Sequence, residues 1–299
     1  MVSGTDQADT LRQGTDSDSD GQRFSKKAVR CVAVASGKGG VGKTFFSVNM
    51  AVTLQRMGHK VLLLDADLGL ANADILLGAS PNVTLQDNIF SGVPLQETVV
   101  KGPDDVDLLA ASSGGGEMLE LGKARMQMLI DDLLEFASGY DVLVLDCAAG
   151  INESVMAFVG AAPQCALVTT PEPTAIMDAY ALMKVADQRN SNGKFGIVMN
   201  MAQTVQQGET ITNKLVKMGG EYLSVDVEKW GVIPSSSVVT KAVRAKKPVV
   251  NYAQDDPVAD GVRSIAEQLV SQDRAQVQLD ELDADGLLDG LFKRGDEDE

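Results

Sequence analysis

Residues 36–44 read Ser-Gly-Lys-Gly-Gly-Val-Gly-Lys-Thr, and within them Gly37, Gly42, Lys43 and Thr44 meet the spacing G-x-x-x-x-G-K-[ST]. In such a loop, backbone amides wrap phosphate oxygens, the lysine neutralises them and the hydroxyl binds magnesium. The flanks agree with this reading. Residues 29–35 form a short apolar, β-branched run, and Phe46, Val48, Met50, Ala51 and Leu54 follow at helical spacing, so a helix N-terminus faces the phosphates. Gly37, Lys38, Gly39, Gly40, Val41, Gly42, Lys43 and Thr44 are therefore the expected phosphate cradle. Lys38, a second lysine ahead of the usual Lys43, narrows the reading more than any other feature of the chain.

Working outward, the apolar runs at 29–35, 60–64, 106–110, 142–145, 166–168, 195–199 and 229–233 alternate with helical stretches at 45–57, 123–138, 154–160, 173–188 and 210–218. Near-continuous apolar strands suit a parallel sheet covered on both faces. The expected fold class is α/β: a doubly wound, mostly parallel sheet in a single domain, its ligands at the carboxyl ends of the strands. Residues 112–116, 190–194 and 203–209 read as loops. Residues 1–27 form a polar tail, 28–272 the nucleotide-binding domain, and 273–299 an acidic tail with an amphipathic stretch.

Across 299 residues the apolar content is 44%, enough for one large core, and the formal charge is −16. Such acidity argues against nonspecific nucleic-acid binding by the whole surface, and no sequence-specific nucleic acid is expected. Much of the charge is local: residues 280–299 hold nine Asp/Glu and two Lys/Arg. No run approaches the roughly 18 apolar residues of a membrane span, and residues 1–27 lack a signal peptide's apolar centre, so a cytoplasmic protein is expected. Cys31, Cys147 and Cys165 lie far apart in apolar runs and read as buried, reduced thiols.

Two further stretches carry chemistry. Asp65-Ala66-Asp67-Leu68-Gly69-Leu70-Ala71-Asn72 places two carboxylates at a strand's carboxyl end, on the side of the phosphate loop. One of them can orient an attacking water, which is most of what phosphoryl transfer asks of a side chain. The strand Val142-Leu143-Val144-Leu145-Asp146 ends in a carboxylate of the kind that holds a magnesium-bound water, and Ala148-Ala149-Gly150 lets backbone approach the γ-phosphate. The expected metal set is thus Thr44, Asp65 and Asp146, the aspartates acting through water. The chain lacks an Asn-Lys-x-Asp guanine signature: its Asn213-Lys214 is followed by Leu215 and Val216. Adenine is the better reading, with Asn200 and Pro234 beside the base and ATP and Mg2+ as cofactors.

Together the lysine-first loop, Asp65-x-Asp67-x-Gly69-x-x-Asn72 and Asp146-x-Ala148-Ala149-Gly150 resemble the MinD/ParA group of deviant Walker ATPases across residues 30–270. The resemblance implies a nucleotide-sandwich homodimer in which Lys38 reaches the partner's phosphates, with Lys38, Asp67 and Lys43 catalytic. It also implies Asp67 as the hydrolytic aspartate of switch I, Asp146 in switch II, and Lys38, Asn72 and Asp178 at the dimer interface, Asp178 pairing with the signature lysine. A lysine supplied in trans makes hydrolysis conditional on dimerisation, much as an arginine finger does.

Within that group, Asp6-Gln7-Ala8-Asp9-Thr10-Leu11-Arg12 matches the D-Q-A-x-x-L-R segment with which FlhG-type (FleN) flagellar number regulators stimulate the signal-recognition-particle-like GTPase FlhF. The resemblance implies that Asp6, Gln7, Ala8, Leu11 and Arg12 activate such a partner, with flagellar C-ring or transcription-factor partners beyond it. Near the other end, Leu287, Leu288, Leu291 and Phe292 fall at helical spacing and are similar to the family's membrane-targeting helix, which implies reversible attachment to the inner face of the cell membrane. Full burial of those four side chains is worth roughly 6 to 10 kcal/mol at most. A single copy is marginal, and a dimer adds the second by effective concentration. The acids around them, Asp280, Glu281, Asp283, Asp285 and Asp289, oppose anionic lipid.

The same motifs also fit a MinD-like division-site regulator, which has no need of Gln7, and a ParA-like DNA-partition ATPase, which would use the basic cluster Lys241, Arg244, Lys246 and Lys247. A metal-cluster carrier on this fold would need a C-x-x-C that the sequence lacks.

Overall fold

Val29–Ser36 forms β1, buried along its whole length, and it is the axis of the sheet. The computed structural model describes residues 28–67, 71–111, 123–189, 194–271 and 276–277. After β1 come α1 (Lys43–Arg56), β2 (Val61–Ala66), α2 (Ala73–Leu77), α3 (Leu85–Ser91), β3 (Val99–Lys101), β4 (Asp107–Leu109), α4 (Lys123–Ala137) and β5 (Val142–Ala149). The second half holds α5 (Glu153–Ala161), β6 (Gln164–Thr169), α6 (Pro173–Gln188), β7 (Lys194–Ala202), α7 (Val205–Tyr222), β8 (Asp226–Pro234), α8 (Ser237–Arg244), α9 (Val249–Tyr252), α10 (Pro257–Ser271) and β9 (Gln276–Val277).

The strands form one sheet in the order β3-β4-β2-β5-β1-β6-β7-β8, with β9 paired to β1. All pairings are parallel except β3 with β4 and β9 with β1. The core divides by sheet face. On one face Val32, Val34, Leu63 and Val144 pack with Phe46, Met50 and Leu54 of α1 and Val262, Ile265 and Leu269 of α10. On the other, Cys31, Leu62, Leu64, Leu143 and Leu145 pack with Ala137 and Tyr140, and Ala35, Cys165, Leu167, Phe195 and Ile197 pack with Leu182 and Met183 of α6. Burying both faces explains why the strands read as continuous apolar runs.

The α/β architecture and every expected strand are present, and α6 spans the expected residues. One loop is not: residues 205–209, expected in a loop, open α7, because Thr204 caps it by accepting a hydrogen bond from the Gln207 amide at 3.1 Å and Gln207 Oε1 accepts the Gln203 amide. Lys194, expected in a loop, begins β7. The short antiparallel strands β3 and β9 and the helices α2, α3, α9 and α10 extend the expected set. The three cysteines are buried and free. Burial pushes the Cys31 thiol up to about 12. Residues 112–116, 190–193, the segment Asp6–Arg12 and the stretch Leu287–Phe292 lie outside the described residues.

Candidate nucleotide site

The turn between β1 and α1 is shaped by glycines with side-chain-free approaches. Gly42, the residue before α1, has φ 89, and a Cβ there would sit 2.3 Å from Asn200 Nδ2. A Cβ on Gly37 would sit 2.2 Å from the backbone oxygen of Asp178 on α6. Both positions therefore require glycine, one for its left-handed backbone as well as its close contact. Asn200, at the end of β7 and buried, donates from Nδ2 to the Val41 carbonyl at 2.9 Å and so pins the loop from the side. Ser36 Oγ donates to the Lys38 carbonyl at 2.9 Å, and the Gly150 amide donates to the Ser36 carbonyl at 2.9 Å, tying the residue after β5 to the same turn.

Behind the loop lie two buried carboxylates. Asp65 of β2 and Asp146 of β5 stand opposite each other in register on neighbouring strands. Asp146 Oδ1 accepts from Ser47 Oγ at 2.8 Å, while Oδ2 is buried without a hydrogen bond. Desolvation raises the Asp146 carboxyl, against the lowering effects of Lys43, Thr44 and Ser47. Asp65 accepts three backbone amides, Asp67 at 3.2 Å on Oδ1 and Asn72 and Ala73 at 2.9 and 3.0 Å on Oδ2. Burial first, and the Asp146 charge second, push it up to about 7 despite those bonds. Asp65 thus anchors the segment that carries Asp67 at one end and Asn72 at the other.

Lys38 leaves this cradle. Its Nζ lies 3.1 Å from Glu172 Oε2 and 3.1 Å from Thr174 Oγ1, both at the start of α6. The pairing expected with Asp178 is not made within the chain, where Glu172 takes that place. Both partners are exposed, Lys38 by 40% and Glu172 by 68%, so the pair is worth about 0 to 1 kcal/mol. Lys38 is lightly held and free to be drawn to a stronger anion.

A cavity of about 770 Å³ opens above the loop, lined by Gly39, Gly40, Lys43 and Thr44 of the loop, by Asp67 and Asn72, and by Asn200, Pro234 and Val239. It has the size of a nucleotide site. The lining joins the polar and cationic groups of the loop to apolar surface from Met201, Val239 and Val243, the two kinds of surface that a phosphate tail and a flat base require. Sequence reasoning missed Ser47, Glu172, Thr174, Met201 and the α8 valines. Ser47 was legible, since it stands one helical turn after Lys43 and so points the same way. Magnesium fits the residues present: Asp146 has an orphaned buried oxygen, Thr44 a hydroxyl beside it, and Asp65 a second carboxylate in register.

Comparison with known proteins follows the same line. The profile of the ParA family, described as NUBPL iron-transfer P-loop NTPase, matches residues 27–270. The chain is 40% identical over 250 residues to the antiactivator FleN of Pseudomonas aeruginosa, covering 84% of this chain and 89% of that protein. It is 32% identical over 273 residues to the flagellum site-determining protein YlxH of Helicobacter pylori, covering 90% of each. In fold it is similar to the septum site-determining protein MinD of Pyrococcus horikoshii complexed with Mg-ADP, with a TM-score of 0.67 at 24% identity over 83% of this chain and 100% of that one. It is also similar to a ParA family ATPase of Chlorobium tepidum, with a TM-score of 0.67 at 20% identity over 80% and 99% of the two chains.

Proposed function

The chain belongs to the ParA family of P-loop NTPases, and from that premise we propose that it is an ATP-hydrolysing, dimerising switch that sets flagellar number or placement. The observation that carries the switch is the position of Lys38, outside the cradle formed by residues 39–44 and held by an exposed ion pair with Glu172 and a hydrogen bond to Thr174 Oγ1. The process rests on the likeness to FleN and to a flagellum site-determining protein over most of each chain.

In this mechanism the amides of residues 39–44 and the Lys43 ammonium bind the β- and γ-phosphates, aided by the N-terminus of α1. Asn200 keeps the loop in its binding shape and faces the adenine end with Pro234. Magnesium, when bound, is held by Thr44 and, through water, by Asp65 and Asp146, and neutralises phosphate charge. Asp67 orients the attacking water in line with the γ-phosphate. Lys38 of a second copy supplies the last cation, so charge on the transferred group is stabilised only when two chains meet. The exposed apolar side chains Ile75 and Met201 in the cavity lining suit a face that is covered in the dimer, as do Asn72 and Asp178.

Downstream, residues 6–12 stimulate an FlhF-type GTPase, with Gln7 entering the partner's site, and the stretch Leu287–Phe292 attaches the dimer reversibly to the cell membrane. Of the described helices none is long and apolar enough to cross a membrane. The test of the process is partner GTP turnover, measured with the intact chain and with Gln7→Ala. Loss of stimulation with ATP hydrolysis intact is expected; equal turnover with both would remove the flagellar assignment.

A further inference from the structure

Ser47 occupies a place in the buried stripe of α1 that calls for an apolar side chain: with Met50, Ala51 and Leu54 it falls at i, i+3, i+4 and i+7, and all four are buried. A hydroxyl buried there costs free energy unless it is hydrogen-bonded. Two acceptors lie within reach of its Oγ, Asp146 Oδ1 on β5 at 2.8 Å and the Lys43 carbonyl one turn back at 3.2 Å. One proton cannot serve both equally.

Other helical hydroxyls of this chain show what a bond within the helix looks like. Thr53 Oγ1 donates to the Asn49 carbonyl at 2.7 Å, and Thr210 and Thr212 donate to the carbonyls of Gln206 and Gly208 at 2.9 Å, each four residues back. Ser47 is longer on that side and shorter on the other, so it gives its proton to the carboxylate. Val142 and Val144, which precede Asp146 on the same face of β5, are buried and have no donor to offer it. Thr44 also bonds this carboxylate and lines the nucleotide cavity, whereas Ser47 does not line it. Asp146 therefore has Oδ1 held by a residue outside the cavity, while Oδ2 is buried with no hydrogen-bond partner among the described residues.

We propose that Ser47 is a positioning residue for magnesium: its hydroxyl fixes the rotation of the Asp146 carboxylate, engaging Oδ1 and leaving Oδ2 as the acceptor for a water of the magnesium shell. The inference rests on reading the site as one for magnesium nucleotide. A carboxylate turns easily about its last side-chain bond, where the torsion is broad and nearly two-fold, so one firm donor decides which oxygen stays free. Without that donor the carboxylate loses its preferred setting. The amides of residues 39–44 and the Lys43 ammonium still meet the phosphates, so the loss falls on what the cation adds to nucleotide affinity and leaves the metal-free affinity in place.

The test is calorimetric titration of the full chain with ADP, in magnesium and in EDTA, for the unsubstituted protein, Ser47→Ala, Asp146→Asn and the double variant. In Ser47→Ala the gain in affinity on adding magnesium is expected to fall about tenfold or more, as for other residues that orient a metal's ligands, with affinity in EDTA kept within about twofold. In Asp146→Asn the further change Ser47→Ala should add nothing. Ser47→Cys, close in shape but a weak donor, is expected to show the same fall and serves if the alanine variant does not fold. An unchanged magnesium gain, an equal loss of affinity in both media, or a further loss on the Asp146→Asn background would each overturn this inference alone. Indifference of the unsubstituted chain to magnesium would overturn the reading of the site and this inference with it.

Discussion

Glu172 holds Lys38 within its own chain, Oε2 to Nζ at 3.1 Å, with Thr174 Oγ1 at the same distance. The lysine that distinguishes this phosphate loop is therefore parked in a solvent-exposed pair at the head of α6. In the proposed dimer a triphosphate would offer it several negative charges, against an exposed pair worth about 0 to 1 kcal/mol.

Removing the parking partner should release Lys38 cheaply. Glu172→Ala is expected to change stability by less than about 1 kcal/mol and to raise the ATP-dependent dimer association constant by up to about fivefold, the equivalent of that energy. Analytical ultracentrifugation with a non-hydrolysable ATP analogue checks it. A weaker dimer would show that Glu172 serves the assembled state instead.

Asn200 predicts a different pattern. Asn200→Ala removes the bond to the Val41 carbonyl and leaves that carbonyl without its partner, at a cost of about 1 to 3 kcal/mol. Nucleotide affinity and melting temperature should both fall. Gly42→Ala, strained by φ 89 and by contact with the same amide, should abolish nucleotide binding outright. Calorimetric titration with ADP separates the two.

The pair Asp65 and Asp146 gives the protein a pH signature. Asp65 has its folded pKa raised to about 7 from an ordinary value near 4, so the folded state binds the extra proton between those values. Its contribution is fully present below about pH 4 and is lost as pH rises through about 7. In nucleotide-free protein, Asp65→Asn should therefore flatten the fall in melting temperature between pH 5 and 8. Because cation binding needs the carboxylates ionised, affinity for magnesium nucleotide should climb over the same interval in the unsubstituted chain. A melting temperature independent of pH in both proteins would contradict the burial of this pair.

Much of this was legible before any coordinates, and the reasons are physical. Strands such as Val142–Ala149 are buried on both faces, so their apolar runs have no competing explanation, and Pro173 fixes the start of α6 at the first helical turn. The β1–α1 turn was legible because Gly40 and Gly42 take the left-handed backbone that favours glycine, whereas the close approaches of Gly37 to Asp178 and of Gly42 to Asn200 arise only in the folded chain. What escaped depends on tertiary contact. The start of α7 is set by Thr204 and the Gln207 side chain, in a polar stretch whose composition suits a loop equally well. Strands β3 and β9 are too short for a pattern and exist by pairing with β4 and β1. Glu172 was in plain view but became Lys38's partner only when α6 brought it beside the loop. Met201, at φ 57, lines the cavity through a backbone conformation that no periodicity announces.

The proposed switch requires two chains to close around ATP, each lending Lys38 to the other. Size-exclusion chromatography with light scattering, on the unsubstituted chain, Lys38→Ala and Asp67→Ala in magnesium ATP, tests this most directly. The predicted result is a transient dimer for the first, a monomer for Lys38→Ala, and a dimer that persists without hydrolysis for Asp67→Ala. Monomers throughout, or a dimer that survives loss of Lys38, would contradict it.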